Sequence, residues 1–303
     1  MCFPNVDKDT KRTLIGVAAV AVVVVAVFVG INVASGVSPP YTVVVSQSMQ
    51  HSPNNNMHSQ LGVIDTGDMV LLRSKGGEDN MGIQSFVDGY KNGYSKFGSY
   101  GDVIIYERGS ENPIIHRAIL WLESNDDGTW SAPSLDGYPS DLWSCNNGGE
   151  IITDYNHLQG TLTLNNMGYN QDHSFSIYLG TLNNGPSGGF LTMGDHNIDG
   201  GFDQAIGISA GLVSYQRIES VAWVEVPWLG SLKMIFSGEK ASLNNFVPNT
   251  IPSLAAAVLL FIFVLIGISF LFDYRYYWKY RKEMIEEMNA LPPSFPVEKE
   301  NNE

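Results

Sequence analysis

The sequence is short of cysteine and of charge. It holds two cysteines in 303 residues, Cys2 and Cys145, too few for a disulfide framework, so its folded part must rest on packing. Charged residues make up 16% of the chain, against about 25% in soluble proteins. Basic residues are the scarcer sign: 17 Lys and Arg stand against 31 Asp and Glu, a net charge of −14. Residues 38–250 carry 9 of the former and 22 of the latter, net −13. That acidic middle excludes nucleic acid as a partner, because phosphate binding needs a basic face. No Gly-X-Y period, heptad array or longer internal repeat is present, and 11% of the residues are aromatic, which excludes collagen, coiled-coil, solenoid and disordered classes. No H-E-x-x-H occurs and the histidines lack ligand spacing, which disfavours a zinc hydrolase.

Charge is missing altogether from Thr13 to Ile64. Within that stretch Leu14 to Ala34 is a nearly continuous Val/Ala/Ile/Phe/Leu run of 21 residues, and about 20 suffice to cross a hydrocarbon core. A second run, Ile251 to Phe272, is equally apolar. Each is apolar all round, which no solvated helix is. A cleaved signal peptide is the rival reading of the first run, since Val33-Ala34-Ser35-Gly36 offers small residues for a cut, but the run exceeds the 7–15 residues of an h-region. Lys8, Lys11 and Arg12 precede the first run. Arg275, Lys279, Arg281 and Lys282 follow the second, within a Tyr/Trp belt (Tyr274, Tyr276, Tyr277, Trp278, Tyr280) suited to the headgroup level. Both termini therefore read as cytoplasmic. Cys2 falls inside and Cys145 outside, so they are not expected to pair.

The expected organisation is a cytoplasmic N-terminus at 1–13, a membrane helix at 14–36, an extracytoplasmic domain, a second membrane helix at 250–273 and a cytoplasmic tail at 274–303. The tail reads as a short solvated helix followed by a Pro-punctuated disordered end. The outer domain reads as mainly β. Tyr41-Thr42-Val43-Val44-Val45 is a strand signal. Thr66-Gly67-Asp68 is a turn leading into Met69-Val70-Leu71-Leu72. Val103 to Tyr106 and Ile114 to Leu120 form a ribbon across a turn-rich connector, and Phe190 to Met193 and Gly207 to Val226 add further strand candidates. Residues 74–98 look like a surface excursion. Residues 124–187, rich in Asn, Gly, Asp and Ser, read as an inserted β-rich subdomain, which divides the main domain into 38–123 and 188–240.

The sharpest cluster for chemistry is Val45-Ser46-Gln47-Ser48-Met49, directly after a strand and 14 residues past Ala34. A serine needs a base to become a nucleophile. Residues 99–215 contain no lysine, so a Ser-Lys dyad cannot come from those segments. The candidate bases are six histidines: His51, His58, His116, His157, His173 and His196. His116 sits mid-strand among apolar neighbours, a setting more often structural than catalytic. Gly194-Asp195-His196-Asn197 follows a strand with turn chemistry, and Asp203-Gln204 lies beyond it. A carboxylate there could orient an imidazole and stabilise its charged form.

Taken together and in this order, S-x-S-M, T-G-D, G-D-x-x-x-Y, I-I-H-R and L-T-x-G-D-x-N followed by a further Asp resemble the boxes of type I signal peptidase, in its histidine-bearing archaeal and endoplasmic-reticulum branch. The resemblance covers the first membrane span and about 41–73, 101–120 and 188–235, leaving 74–100 and 124–187 unmatched. It implies a signal-peptidase-like β domain, Ser48 as nucleophile and His116 as general base. It implies Asp203 as third member if the loop carries a two-residue insertion, with Asp199 as rival. Asp195 matches the supporting Asp of its box. Ser46 matches a position whose hydroxyl, with the Ser48 backbone N–H, donates to the oxyanion.

The implied activity is a membrane-bound serine endopeptidase that removes signal peptides from exported pre-proteins, without cofactor or metal, through an acyl-enzyme. Its partners would be those pre-proteins, the bilayer and the protein-export channel. An imidazole titrates near ~6.5 unperturbed, so cleavage should slow on the acid side as His116 charges. A nucleophile this close to the first span stays near the membrane surface, because extended chain reaches at most ~3.5 Å per residue. Small residues before the cut would need two shallow apolar pockets beside an extended peptide bound by strand addition. Val44, Val45 and the 101–106 strand are candidate walls. The contrasting reading is a non-enzymatic envelope protein with an acidic outer domain. In that reading Asp195-His196-Asn197-Ile198-Asp199-Gly200 spells the D-x-N-x-D-G start of a calcium loop, although the twelfth position would be Ile206 rather than Glu.

Overall fold

The computed structural model describes residues 8–54, 56–77, 82–109, 112–182, 184–197 and 200–290. Asp199, Cys2 and the Pro-punctuated end beyond 290 lie outside them. Along the chain come α1 (Lys8–Ser35), β1 (Tyr41–Val43), β2 (Met69–Arg73), α2 (Phe86–Asn92), β3 (Ser95–Lys96), β4 (Ser99–Tyr100), β5 (Val103–Tyr106), β6 (Ile114–Ser124) and β7 (Trp130–Ser131). Then follow β8 (Trp143–Asn147), β9 (Glu150–Ile152), β10 (Thr161–Met167), β11 (His173–Tyr178), β12 (Gly188–Met193), β13 (Ile218–Val226), α3 (Gly230–Phe236), α4 (Lys240–Phe246) and α5 (Thr250–Ala290).

The main sheet is antiparallel with strand order β1-β2-β13-β5-β6-β12, and β7 pairs with β6. β5 is buried at all four positions, which explains why Val103-Ile104-Ile105-Tyr106 is an unbroken apolar run rather than an alternating one. β1 ends the order at one edge, and among the described residues no strand pairs with its other side. The 124–187 segment carries its own four-stranded sheet, β11-β10-β8-β9. That sheet shares a core with the main one: Leu162, Leu164 and Ile177 pack in the same buried cluster as Ile119, Leu120, Leu191 and Met193.

The structure departs from the sequence expectation at three places. Residues 74–98 are no simple surface excursion, because α2 lies within them and buries Phe86 and Val87. Its start is a capping box in which the Ser85 hydroxyl accepts from the Asp88 N–H while the Asp88 carboxylate accepts from Ser85 N–H, a local pattern masked in the sequence by the surrounding glycines. Of 207–226, only Ile218–Val226 is strand. The helix after Thr250 does not stop near 273 but continues unbroken for 41 residues to Ala290.

The chain divides into two compact units, 1–251 and 252–303. Among the described residues two helices are long and apolar enough to cross a membrane, Gly16–Ser35 and Thr250–Glu287, and their exposed Val, Leu, Ile and Phe side chains find no cover in the protein. They suit the chain to membrane anchoring. α1 joins the first unit tightly: the Ser35 carbonyl, at its end, accepts from Ser74 N–H at 2.8 Å.

Candidate functional site

Strand pairing brings the distant motifs together. In the β5–β6 pair His116 stands opposite Ile104, and in the β6–β12 pair Arg117 stands opposite Met193. Neighbouring residues of a strand point to opposite faces, so His116 and Arg117 serve two separate constellations. The first is His116 with Asp203. The two are buried, and Nδ1 of His116 lies 2.9 and 2.8 Å from the two carboxylate oxygens. Asp203 is held by its own backbone, which donates to the Thr192 carbonyl of β12 at 2.9 Å. The Tyr106 hydroxyl, from β5, donates to Asp203 Oδ2 at 2.8 Å.

Burial alone would raise the Asp203 carboxyl, but the His116 imidazole and the hydrogen bonds from His116, Thr192 and Tyr106 hold it below the usual carboxylate range. An ionised carboxylate only accepts. The His116 Nδ1 therefore donates its proton to Asp203, which leaves Nε2 on the side of the ring away from the carboxylate. Tyr106 is driven the other way, its hydroxyl pushed up by burial and by the negative Asp203, so it remains a donor.

Nε2 of His116 and the Ser48 carbonyl both border Gly194. A Cβ placed on Gly194 would lie 2.5 Å from the Ser48 carbonyl oxygen and 2.9 Å from His116 Nε2, so only glycine fits against both groups at this position. His116, Ser46 and Ser48 line one cavity of about 490 Å³, together with Val44, Val45 and Ile105. The Ser48 hydroxyl lies 3.2 Å from Ser46 Oγ. Among the described residues no hydrogen bond joins it to His116, and none engages the Ser48 N–H. A serine hydroxyl has three staggered positions, and such contacts commonly tighten only around a bound substrate. A second cavity of about 330 Å³ shares Ser46 and Ser48 and continues past Asn54, His196 and Ile206. Lys233 also borders the first cavity, but it is exposed and keeps its hydration, unlike the buried His116.

The second constellation centres on Asp195. Arg117 donates from Nε to Oδ1 at 2.7 Å and from a terminal nitrogen to Oδ2 at 2.5 Å, and His51 Nε2 lies 2.9 Å from Oδ2. Burial opposes ionisation of Asp195, yet the Arg117 guanidinium, joined by His51, pulls the carboxyl far below the usual range. The other Arg117 nitrogen reaches the backbone carbonyls of Tyr100 and Gly101 at 3.1 and 2.9 Å. Tyr169 stacks between His51 and His196, with centroid distances of 5.2 and 6.0 Å. Backbone N–H of His196 donates to the Ser48 carbonyl at 2.9 Å. Asp195 thus orders the turn that carries Gly194 and His196 against Ser48.

The geometry unites Ser48, Ser46 and His116 about one cavity and seats Asp203 behind His116. Asp195 is set apart as a structural anchor, and Asp199 lies outside the described residues. A cation at the D-x-N-x-D-G loop would have to take Asp195 from Arg117 and His51, which removes the first ligand of the calcium reading. Two roles escaped the sequence reading: that of Tyr106, visible only as the last letter of G-D-x-x-x-Y, and that of His51, named only as one of six candidate bases and found instead beside Asp195. Comparison of the chain with protein-family models, with curated proteins and with solved structures finds no match.

Proposed function

We propose that this protein is a membrane-anchored serine endopeptidase of the signal-peptidase type, removing signal peptides from exported pre-proteins. The observation that carries the reading is a buried His116 whose Nδ1 is committed to Asp203 and which lines, together with Ser48, one open cavity. A neutral imidazole so oriented is a general base. Ser48 Oγ attacks the scissile carbonyl carbon and its proton passes to His116 Nε2. The negative charge that develops on the carbonyl oxygen falls to the unengaged Ser48 N–H and the Ser46 hydroxyl. His116 then gives the proton to the leaving amine, and water repeats the sequence to free Ser48 from the acyl group. Asp203, with its donors, keeps the ring in the right tautomer and steadies the imidazolium.

The substrate class follows from the cavity and its surroundings. Its walls include Val43, Val44 and Ile115, beside the edge strand β1, where an extended peptide can add as a further strand. Apolar walls and a site 13 residues past Ser35 suit a peptide leaving a bilayer with small side chains before the cut. On this reading the domain of 38–251 faces away from the cytoplasm and both termini face it. The export channel would be the partner that delivers the substrate.

The test is cleavage of a synthetic pre-protein by the full chain in lipid. Ser48→Ala and His116→Ala are each expected to lower kcat by about 10⁴-fold or more, and Asp203→Asn by about 10³- to 10⁴-fold, with folding intact. Equal cleavage by wild type and Ser48→Ala would refute the assignment. Absence of cleavage by either form, with an unchanged fold, would return the protein to the non-enzymatic envelope reading.

A further inference from the structure

The short helix α3 carries apolar side chains that the domain leaves uncovered. At about 100° per residue, Leu232 and Phe236 share one face and Met234 points the opposite way. Burial follows that geometry: Met234 is 0% exposed, Leu232 44% and Phe236 88%. Packing therefore secures α3 through Met234 and turns Phe236 outward, the most exposed large apolar residue among the described residues. A Phe at that exposure loses the benefit of burial, and an outward apolar face on an otherwise folded element marks a contact surface.

The position of α3 identifies the occupant. Met234 belongs to a small cluster with Leu243 and Val247, against which Val43 and Ile251 pack. Ile251 is the first residue of the second apolar run, and Thr250 before it is fully buried. The uncovered face thus belongs to the part of the domain where the second candidate span begins. Its charge fits as well. Residues 228–249 hold Lys233, Lys240 and Glu239, net +1, within a stretch of 38–250 whose total is −13. Basic residues beside exposed Leu and Phe on a helix are the composition of an interfacial segment.

We propose that α3 is a membrane-surface helix: Leu232 and Phe236 enter the headgroup–acyl boundary of the bilayer that anchors the chain, with Lys233 and Lys240 at the lipid phosphates. This rests on the membrane anchoring and not on the protease reading. Because Lys233 also borders the cavity that Ser48 lines, such seating would hold the mouth of that cavity at the lipid surface.

The test uses the full chain with Cys2→Ser, leaving the buried Cys145 in place, and Phe236→Cys labelled with an environment-sensitive fluorophore. The protein is reconstituted at one copy per nanodisc of phosphatidylcholine and phosphatidylglycerol, with a spin-labelled lipid whose quencher lies near the headgroup end of the acyl chain. A second variant labels Ile151→Cys, 62% exposed on the 124–187 sheet. The expected result is blue-shifted emission at 236, quenched several-fold more by the lipid quencher than at 151, for a depth of about 5–10 Å. Emission at 236 as water-like and as open to iodide as at 151 would overturn the proposal. So would lipid-independent shielding that appears only when two copies share a disc, which would make a second chain the occupant. An unchanged thermal midpoint for Phe236→Cys confirms that the label reports position and not unfolding.

Discussion

Gly194 shows how much the site depends on one missing methyl group. A Cβ there would stand 2.5 Å from the Ser48 carbonyl and 2.9 Å from His116 Nε2, both far inside van der Waals contact. Gly194→Ala should separate nucleophile and base while leaving the hydrophobic core untouched. Cleavage is expected to fall by about 10²-fold, the cost of a 1 Å misplacement, with a thermal midpoint close to wild type, read by activity and calorimetry on one preparation. A second group of residues makes a different prediction. Asp65, Asp68 and Glu225 are raised by burial from ordinary carboxylate values to about 6, about 8 and about 7. Asp68 accepts from the Trp228 and Asp65 N–H groups at 2.7 and 2.8 Å, and Glu225 from Gly62 N–H at 2.8 Å, but one oxygen of Asp65 and one of Glu225 are buried without a partner. The folded chain therefore keeps protons that the unfolded chain releases, and stability declines as pH rises through about 6 to 8. Asp195 and Asp203, both lowered, act oppositely, and their contribution is lost only as pH falls below the ordinary carboxylate range. Melting from about pH 5 to pH 9 should show a falling midpoint, and Glu225→Gln should flatten that fall; a midpoint that rises across the window would contradict the burial argument.

The strands of the site are legible to different degrees. β5 and β6 follow from β-branched runs separated by a turn-rich connector, and β12 from Phe190-Leu191-Thr192-Met193. What no run of residues reveals is the register shift between Leu191 and Thr192 against β6, which decides which β12 residue stands beside His116 and so where Thr192 can hold Asp203. α2 was hidden for a similar reason. It lies flush against the chain at Gly101, where a Cβ would meet the Ser85 carbonyl carbon at 2.5 Å and where φ is +76°, a backbone region that glycine favours. Gly101→Ala is expected to cost about 2–4 kcal/mol by forcing α2 off the sheet, measurable as a lowered denaturation midpoint. Arg117, whose guanidinium caps the Gly101 carbonyl at 2.9 Å, would lose that contact as well. At 1.5 Å per residue the 41 residues of α5 span about 60 Å, twice a hydrocarbon core of about 30 Å. Its polar part beyond Asp273 therefore exceeds the length that a hydrocarbon core would take, and i,i+4 pairing of Lys279 with Glu283 supports it as a solvated helix.

For the whole molecule, the division after Ile251 carries a direct consequence. The first unit holds the sheets, the cavity and the Ile251 contact that closes the small cluster beside α3. A chain truncated after Ile251 should keep the outer-domain unfolding transition within a few degrees of the full chain, in detergent micelles that cover α1. Truncation after residue 240 should lower it markedly, because Leu243 and Val247 are buried against Met234. The sequence by itself determined the two apolar spans, the acidic β-rich domain between them and the short catalogue of residues able to do acyl chemistry. Those properties are local: hydrophobic length, net charge and side-chain type are read from contiguous residues and survive any folding. Tertiary structure alone decided that Asp203 and not Asp195 stands behind His116, that Asp195 belongs to Arg117 and His51, and that Ser48 and His116 line one cavity and both border Gly194. Residues 48, 116 and 203 are brought together by sheet register, a bulge and the space left by a missing Cβ, and such long-range closures leave no periodicity in the chain.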